Sequence, residues 1–338
     1  MTWQDPVPFL RGTAWVDEHG RAVRADPVNV ARLPWETAQR AALPIGVRLE
    51  FTASPGTRAV EIRYRATVPD GPVELRELAH CFALWEGDTC LHEAFTEPAE
   101  EATVTVPLPG GTGPFTVHPP ESQAPAILAL RAVGGALSPA PPRPRWLVHG
   151  DSITEGWWST RPAHSWPAVA GRALGMDPVN LGYAGSARGE LSTAQQLAAL
   201  PADFLTLAFG TNCWSGVPHS APLLYETTRA FITLVRRGHP DTPLLLLSPL
   251  LRPEAESTAN PLGATLADLR TAMEEAVRDL VAAGDERLAL LPGRGLLEPG
   301  HLVDGLHPDD AGHARVAAAV AAAVRHEAAL SSRALSRT

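Results

Sequence analysis

The sequence predicts an α/β protein: a parallel sheet covered on both faces, preceded by an all-β sandwich. Three observations carry this. Up to residue 143, short runs of alternating or β-branched residues recur between turn signals. From residue 144 onward, unbroken apolar runs alternate with helical stretches. Between them, residues 138–145 read Ser-Pro-Ala-Pro-Pro-Arg-Pro-Arg, a stiff extended join.

In the first part, strands are expected over 46–51, 59–64, 81–86, 102–106 and 126–133. Ser54-Pro55-Gly56, Pro69-Asp70-Gly71 and Pro109-Gly110-Gly111 supply turns between them. In the second part, strands are expected over 145–149, 178–182, 204–209, 243–248 and 288–291. Helices fall between and after them, over 164–174, 189–200, 223–237, 265–283 and 309–329. The expected division is 1–143 for the sandwich and 144–338 for the α/β domain. Parallel sheets of this kind place their chemistry at the carboxyl ends of the strands.

Composition narrows the function. With 338 residues, the chain has room for about two domains and a buried core. Hydrophobic residues make up 45% and charged residues 19%, the balance of a globular protein. The net charge of −9 argues against nucleic acid and anionic membranes as partners. All 28 basic residues are arginine, which removes Schiff-base lysines, P-loop lysines and Ser-Lys dyads. Cys81, Cys90 and Cys213 make no disulfide framework and fit a reducing compartment. The opening residues carry no leader pattern, and no apolar run approaches the roughly 18–20 residues of a membrane span. The expected location is the cytoplasm.

Four segments carry chemistry. The first strand runs into Gly150-Asp151-Ser152-Ile153-Thr154-Glu155-Gly156, where Ser152 sits as an exposed nucleophile would. A helix starting there would aim backbone N–H groups at the site, although Asp151-Ser152 could equally be only a cap. The second strand ends in Asn180-Leu181-Gly182-Tyr183-Ala184-Gly185-Ser186, with glycines that let an N–H approach a ligand. The third ends in Phe209-Gly210-Thr211-Asn212, where Asn212 offers a neutral donor. Before the last helix stands Asp304-Gly305-Leu306-His307-Pro308, a carboxylate spaced to orient an imidazole. Nucleophile, base, orienting carboxylate and oxyanion donors together form the constellation for acyl transfer through a covalent intermediate.

These four segments resemble, in order, the sequence blocks of the SGNH (GDSL-type) esterase and lipase family. Gly150-Asp151-Ser152-Ile153 matches the first block, Gly185 the second, Gly210-Thr211-Asn212 the third and Asp304-Gly305-Leu306-His307 the last. Ile153 replaces the leucine of the family name, a conservative change. Gly182 is a rival for the second block, and the spacing from Asn180 favours Gly185. The resemblance implies a three-layer, flavodoxin-like α/β/α domain with Ser152 as nucleophile, His307 as base and Asp304 as its partner. It further implies an oxyanion hole built from the Ser152 and Gly185 N–H groups and the Asn212 amide. The two-part organisation is similar to bacterial family members with an N-terminal jelly roll, among them carbohydrate-type esterases and salicylyl-acyltransferase-like proteins.

Around these blocks, Asp151, Arg188 and Trp214 are expected to meet substrate, Trp214 as a pocket wall. Trp157, Trp158, Trp166 and Tyr183 lie near or within the blocks, where aromatic rings can hold a sugar or an acyl group or can simply pack. Cys213 reads as structural. His80, Cys81, Cys90 and His92 lack a short metal-ligand spacing. Asp309-Asp310 read as charge at a helix start. The expected function is a serine esterase acting on a small-molecule ester with a short or small acyl group, without metal or organic cofactor. The alternatives are an acyltransferase using a metabolite hydroxyl, and a carbohydrate-binding protein with a vestigial hydrolase site.

Overall fold

The structure, a computed structural model, describes residues 2–66 and 80–335. The turn expected at 69–71 lies outside the described residues. In the N-terminal part, two antiparallel sheets face each other. The larger orders Leu10–Arg11, Arg48–Ala53, Phe115–His118, Cys81–Glu86 and Thr89–Phe95, with Leu137–Pro139 also paired to Arg48–Ala53. The smaller orders Ala126–Val133, Ala59–Ala66 and Ala99–Pro107. Alternate residues of both, among them Leu49, Phe51, Ile62, Phe82, Leu84, Phe115, Val117 and Leu130, fill the space between them.

Two of these strands carry little sequence signal. Thr89–Phe95 is half-buried or exposed throughout, and Phe115–His118 is only four residues long. The join is also more ordered than a spacer: Ser138 and Pro139 pair with Thr52 and Phe51, so its first residues extend the sheet. Proline is tolerated in such a strand where no ladder N–H is needed.

The second part contains a five-stranded parallel sheet. Its order is Asp177–Gly182, Arg145–Gly150, Phe204–Ala208, Leu244–Leu247, Leu288–Leu291. Numbered by sequence this is 2-1-3-4-5, the flavodoxin-like order. Helices Trp166–Leu174 and Asp310–Leu335 cover one face. Leu191–Ala199, Ala221–Gly238 and Leu266–Ala282 cover the other. Strands such as Leu-Leu-Leu-Leu at 244–247 are wholly buried because both faces are covered. Among the described residues, no helix is long and apolar enough to cross a membrane.

Two features join the parts. On Arg48–Ala53, Leu49 and Phe51 face the sandwich core, while Arg48 and Glu50 point the other way and are also buried. Arg48 pairs with Asp177 at 2.7 Å, at the start of a parallel strand. The short helix Trp35–Ala41, with Ala25 and Leu33, packs into the core of the parallel sheet although it precedes the sandwich strands in sequence.

Candidate active site

The first parallel strand ends at Gly150, and Asp151 turns the chain in extended conformation. Its carboxylate accepts the Ile153 N–H at 3.0 Å, so Ser152 opens a one-turn helix, Ser152–Glu155. Gly156, at φ +96°, stops that helix. The Ser152 hydroxyl lies 2.8 Å from His307 Nε2. His307 Nδ1–H faces Asp304 Oδ2 at 2.7 Å. The three-residue spacing works because Asp304 Oδ1 also accepts the backbone N–H groups of Leu306 (3.0 Å) and His307 (2.8 Å). Burial would raise the Asp304 carboxyl, but these hydrogen bonds and the imidazole outweigh it and hold it at about 2. Asp304 is therefore an anion at neutral pH, and a carboxylate beside Nδ1 leaves Nε2 as the acceptor.

The glycines of the second strand end differ in purpose. Gly182 backs onto the Ser152 helix, where a Cβ would stand 2.3 Å from the Glu155 nitrogen. Gly185 has φ +71°, and its missing Cβ would point into open space. The Arg188 guanidinium donates to the Gly185 carbonyl at 2.8 Å, and Asn212 Nδ2 donates to the Ser186 carbonyl at 2.6 Å. The loop after the third strand thus ties down the loop after the second, and one Asn212 amide hydrogen stays outside that bond.

The family model of GDSL-like lipases and acylhydrolases matches residues 148–315, the stretch that holds all four blocks. Through this segment the chain belongs to the GDSL-like lipase/acylhydrolase family. It is accordingly an enzyme of the hydrolase and acyltransferase kind. No curated protein matches the sequence. Among solved structures, the salicylyl-acyltransferase SsfX3 from a tetracycline biosynthetic pathway superposes with a TM-score of 0.80 at 23% identity, covering 95% of this chain and 94% of that one. A GDSL-like lipase from Bacteroides ovatus gives 0.78 at 20% identity, covering 96% and 97%. A family two carbohydrate esterase from Clostridium thermocellum, solved with cellohexaose, gives 0.64 at 16%, covering 84% and 92%. These likenesses establish the SGNH hydrolase fold with an all-β part before it.

This GDSL-type site also rests on residues beyond the four matched block motifs. Glu155 is buried, with Arg40 bound to both oxygens of its carboxylate and Arg24 3.8 Å away. Its Oε2 accepts the Ala184 N–H at 2.7 Å, one residue before Gly185. The buried Arg24 guanidinium also donates to the Leu43 carbonyl at 2.8 Å and to the Gly182 carbonyl. Arg40 lies 5.6 Å above the Trp157 ring, which stacks on the His307 imidazole at 5.3 Å and 26°. Glu155 stands two residues after the first block, but nothing in the sequence links Arg24 and Arg40 to it.

The three residues expected to meet substrate bind other parts of the GDSL-type chain. Asp151 is buried, caps its own helix and lines an interior cavity of about 10 Å³ with Thr154, Thr211 and Ser248. Burial pushes its carboxyl up to about 6, against the pull of backbone N–H groups. Arg188, beyond its bond to Gly185, lies 3.4 Å from Glu190 and lines an open groove with Leu191, Val217 and His219. The Trp214 indole donates to the Thr258 carbonyl at 2.8 Å, with Arg252 4.5 Å over its ring. Elsewhere, Trp166 packs against Trp146 in the core at 6.0 Å, and Cys213 is buried. Asp309 caps the last helix through the Gly312 N–H at 2.8 Å, while Asp310 pairs with His164 at 2.9 Å.

Proposed function

We propose that the protein is a serine esterase acting through an acyl-enzyme on Ser152. The observation that carries this is the unbroken path from the Ser152 hydroxyl through His307 to Asp304, with steps of 2.8 and 2.7 Å. In this reading Ser152 Oγ attacks the ester carbonyl as His307 Nε2 takes its proton. The oxyanion is held by the Ser152 and Gly185 N–H groups and by the Asn212 amide hydrogen not engaged by Ser186. The carbon–oxygen bond to the alcohol then breaks, and the alcohol leaves with the proton from His307. Water attacks the acyl-enzyme, gives its proton to His307, and releases the acid and free Ser152.

The proposed substrate is a small-molecule ester with a short or small acyl group, and acetylated sugars are the first class to try. Residues 144–338 form the catalytic domain in this proposal, and residues 1–143 an accessory domain that lends Arg24 and Arg40 to the site. The test follows alcohol release from an activated acetyl ester, with Ser152→Ala as control. Steady turnover that disappears in the variant supports the esterase. A single burst that resumes only with an added alcohol makes the enzyme an acyltransferase. Release that survives Ser152→Ala overturns the reading.

A further inference from the structure

Trp158 is a bulky residue in a conformation that bulky residues avoid. Its φ is +63°, in the left-handed region where Cβ crowds the following carbonyl. Strained backbone of this kind persists only where the surroundings over-determine it, and it concentrates at functional sites. The surroundings here are specific. The segment starts at the nucleophile turn, where the Trp157 N–H donates to the Ser152 carbonyl at 3.0 Å. The Trp157 carbonyl is held by His313 Nε2–H at 2.9 Å, from the helix that follows the His307 loop. Ser159 closes the segment by donating from Oγ to the Gly156 carbonyl at 2.7 Å.

Pinned in this way, two consecutive indoles reach the base and its partner. Trp157 stacks on the imidazole, and Trp158 Nε1–H donates to Asp304 Oδ2 at 3.0 Å. That oxygen is the one that faces His307 Nδ1. Asp304 stands on a loop with its side chain 38% exposed, so little packing holds the carboxylate in place. The backbone N–H groups of Leu306 and His307 hold Oδ1, and Trp158 adds a second side-chain donor on Oδ2 beside the His307 Nδ1–H. With both oxygens anchored, the carboxylate plane is set relative to the imidazole.

We infer that Trp158 is a positioning residue for the Asp304–His307 pair, held in left-handed backbone so that its indole N–H fixes the carboxylate oxygen facing the imidazole. The inference rests on the esterase reading above, because an imidazole needs this orientation only if it takes a proton from Ser152. Its role is exerted through Asp304, so the loss on removal should depend on that carboxylate.

The test is a double-mutant cycle on the full chain with an activated acetyl ester. Trp158→Phe keeps the ring and removes the donor. It should lower kcat by about ten-fold and leave KM within about two-fold, the pattern of a group that matters in the transition state. In the Asp304→Asn background the same change should cost nothing further. Trp158→Gly, which suits left-handed backbone, should give the same non-additive loss. Unchanged kcat in both Trp158 variants, or equal losses with and without the Asp304 carboxylate, overturns the positioning role. Wild-type protein without Ser152-dependent turnover overturns the esterase reading, and this inference with it.

Discussion

The Arg40 guanidinium meets the buried Glu155 carboxylate across 115 residues of sequence, with Nε 3.3 Å from Oε2 and Nη2 on Oε1. Glu155 closes the helix that begins with Ser152, and its Oε2 also holds the Ala184 N–H. The N-terminal segment is therefore part of the frame around Ser152. Arg40 additionally lies 5.6 Å from the centre of the Trp157 ring, which stacks on the His307 imidazole.

Removing one member of this cluster leaves uncompensated charge in the interior. Glu155→Gln should destabilise the fold by about 3–5 kcal/mol, since Arg24 and Arg40 lose their carboxylate and Arg24 has no route to solvent. Urea unfolding at neutral pH measures this. A loss below about 1 kcal/mol would mean that the arginines find other partners.

Asn212 has two duties in this account, the bond to the Ser186 carbonyl and the oxyanion. Asn212→Ala should lower kcat by about 10²–10³ with little change in KM. It should also cost about 1 kcal/mol of stability through the lost hydrogen bond. Steady-state kinetics and thermal unfolding of the same preparation separate the two effects.

Much of this arrangement is legible in the sequence, and the exceptions have physical causes. The strands 145–150 and 244–247 are unmistakable because burial on both faces demands apolar runs such as Trp146-Leu147-Val148 and Leu244–Leu247. The Ser152, Gly185, Asn212 and Asp304–His307 segments stand at strand ends or in tight loops, where few residue types serve. Arg24 and Arg40 leave no such trace, since an arginine reaching the site from another part of the chain has no fixed spacing. Trp157 and Trp158 can be noticed as aromatics near Ser152. Only the fold reveals that one stacks on His307 and the other bonds Asp304. Arg188 and Trp214, expected to meet substrate, also bond the Gly185 and Thr258 carbonyls, contacts that the sequence does not reveal.

Two buried groups beside Ser152 should pull stability in opposite directions with pH. His149 donates from Nδ1 to the Leu181 carbonyl and is lowered by burial to about 4, from 6.5 when unfolded. Below 6.5 the unfolded chain takes the proton first, so this contribution is complete above 6.5 and is lost as pH falls toward 4. Asp151 is raised by burial to about 6, from 3.8 when unfolded. The unfolded chain ionises first, so its contribution is complete below 3.8 and is lost as pH rises through 6. Each amounts to about 3 kcal/mol by linkage, and in the wild-type protein they largely cancel. Asp151→Asn keeps the capping acceptor and removes one of the pair. Stability of that variant should climb steeply between pH 4 and 6.5 and exceed wild type at pH 7, measured by urea unfolding at stepped pH. A slope equal to wild type would contradict the assignment.

The central claim is a covalent intermediate on Ser152, and mass spectrometry of acid-quenched protein tests it most directly. Wild-type protein mixed with an activated acetyl ester and quenched during turnover should carry one acetyl group on the peptide containing Ser152. Ser152→Ala should carry none and release no alcohol. Turnover that proceeds with no acyl group on Ser152, or with the label on another residue, would contradict the account.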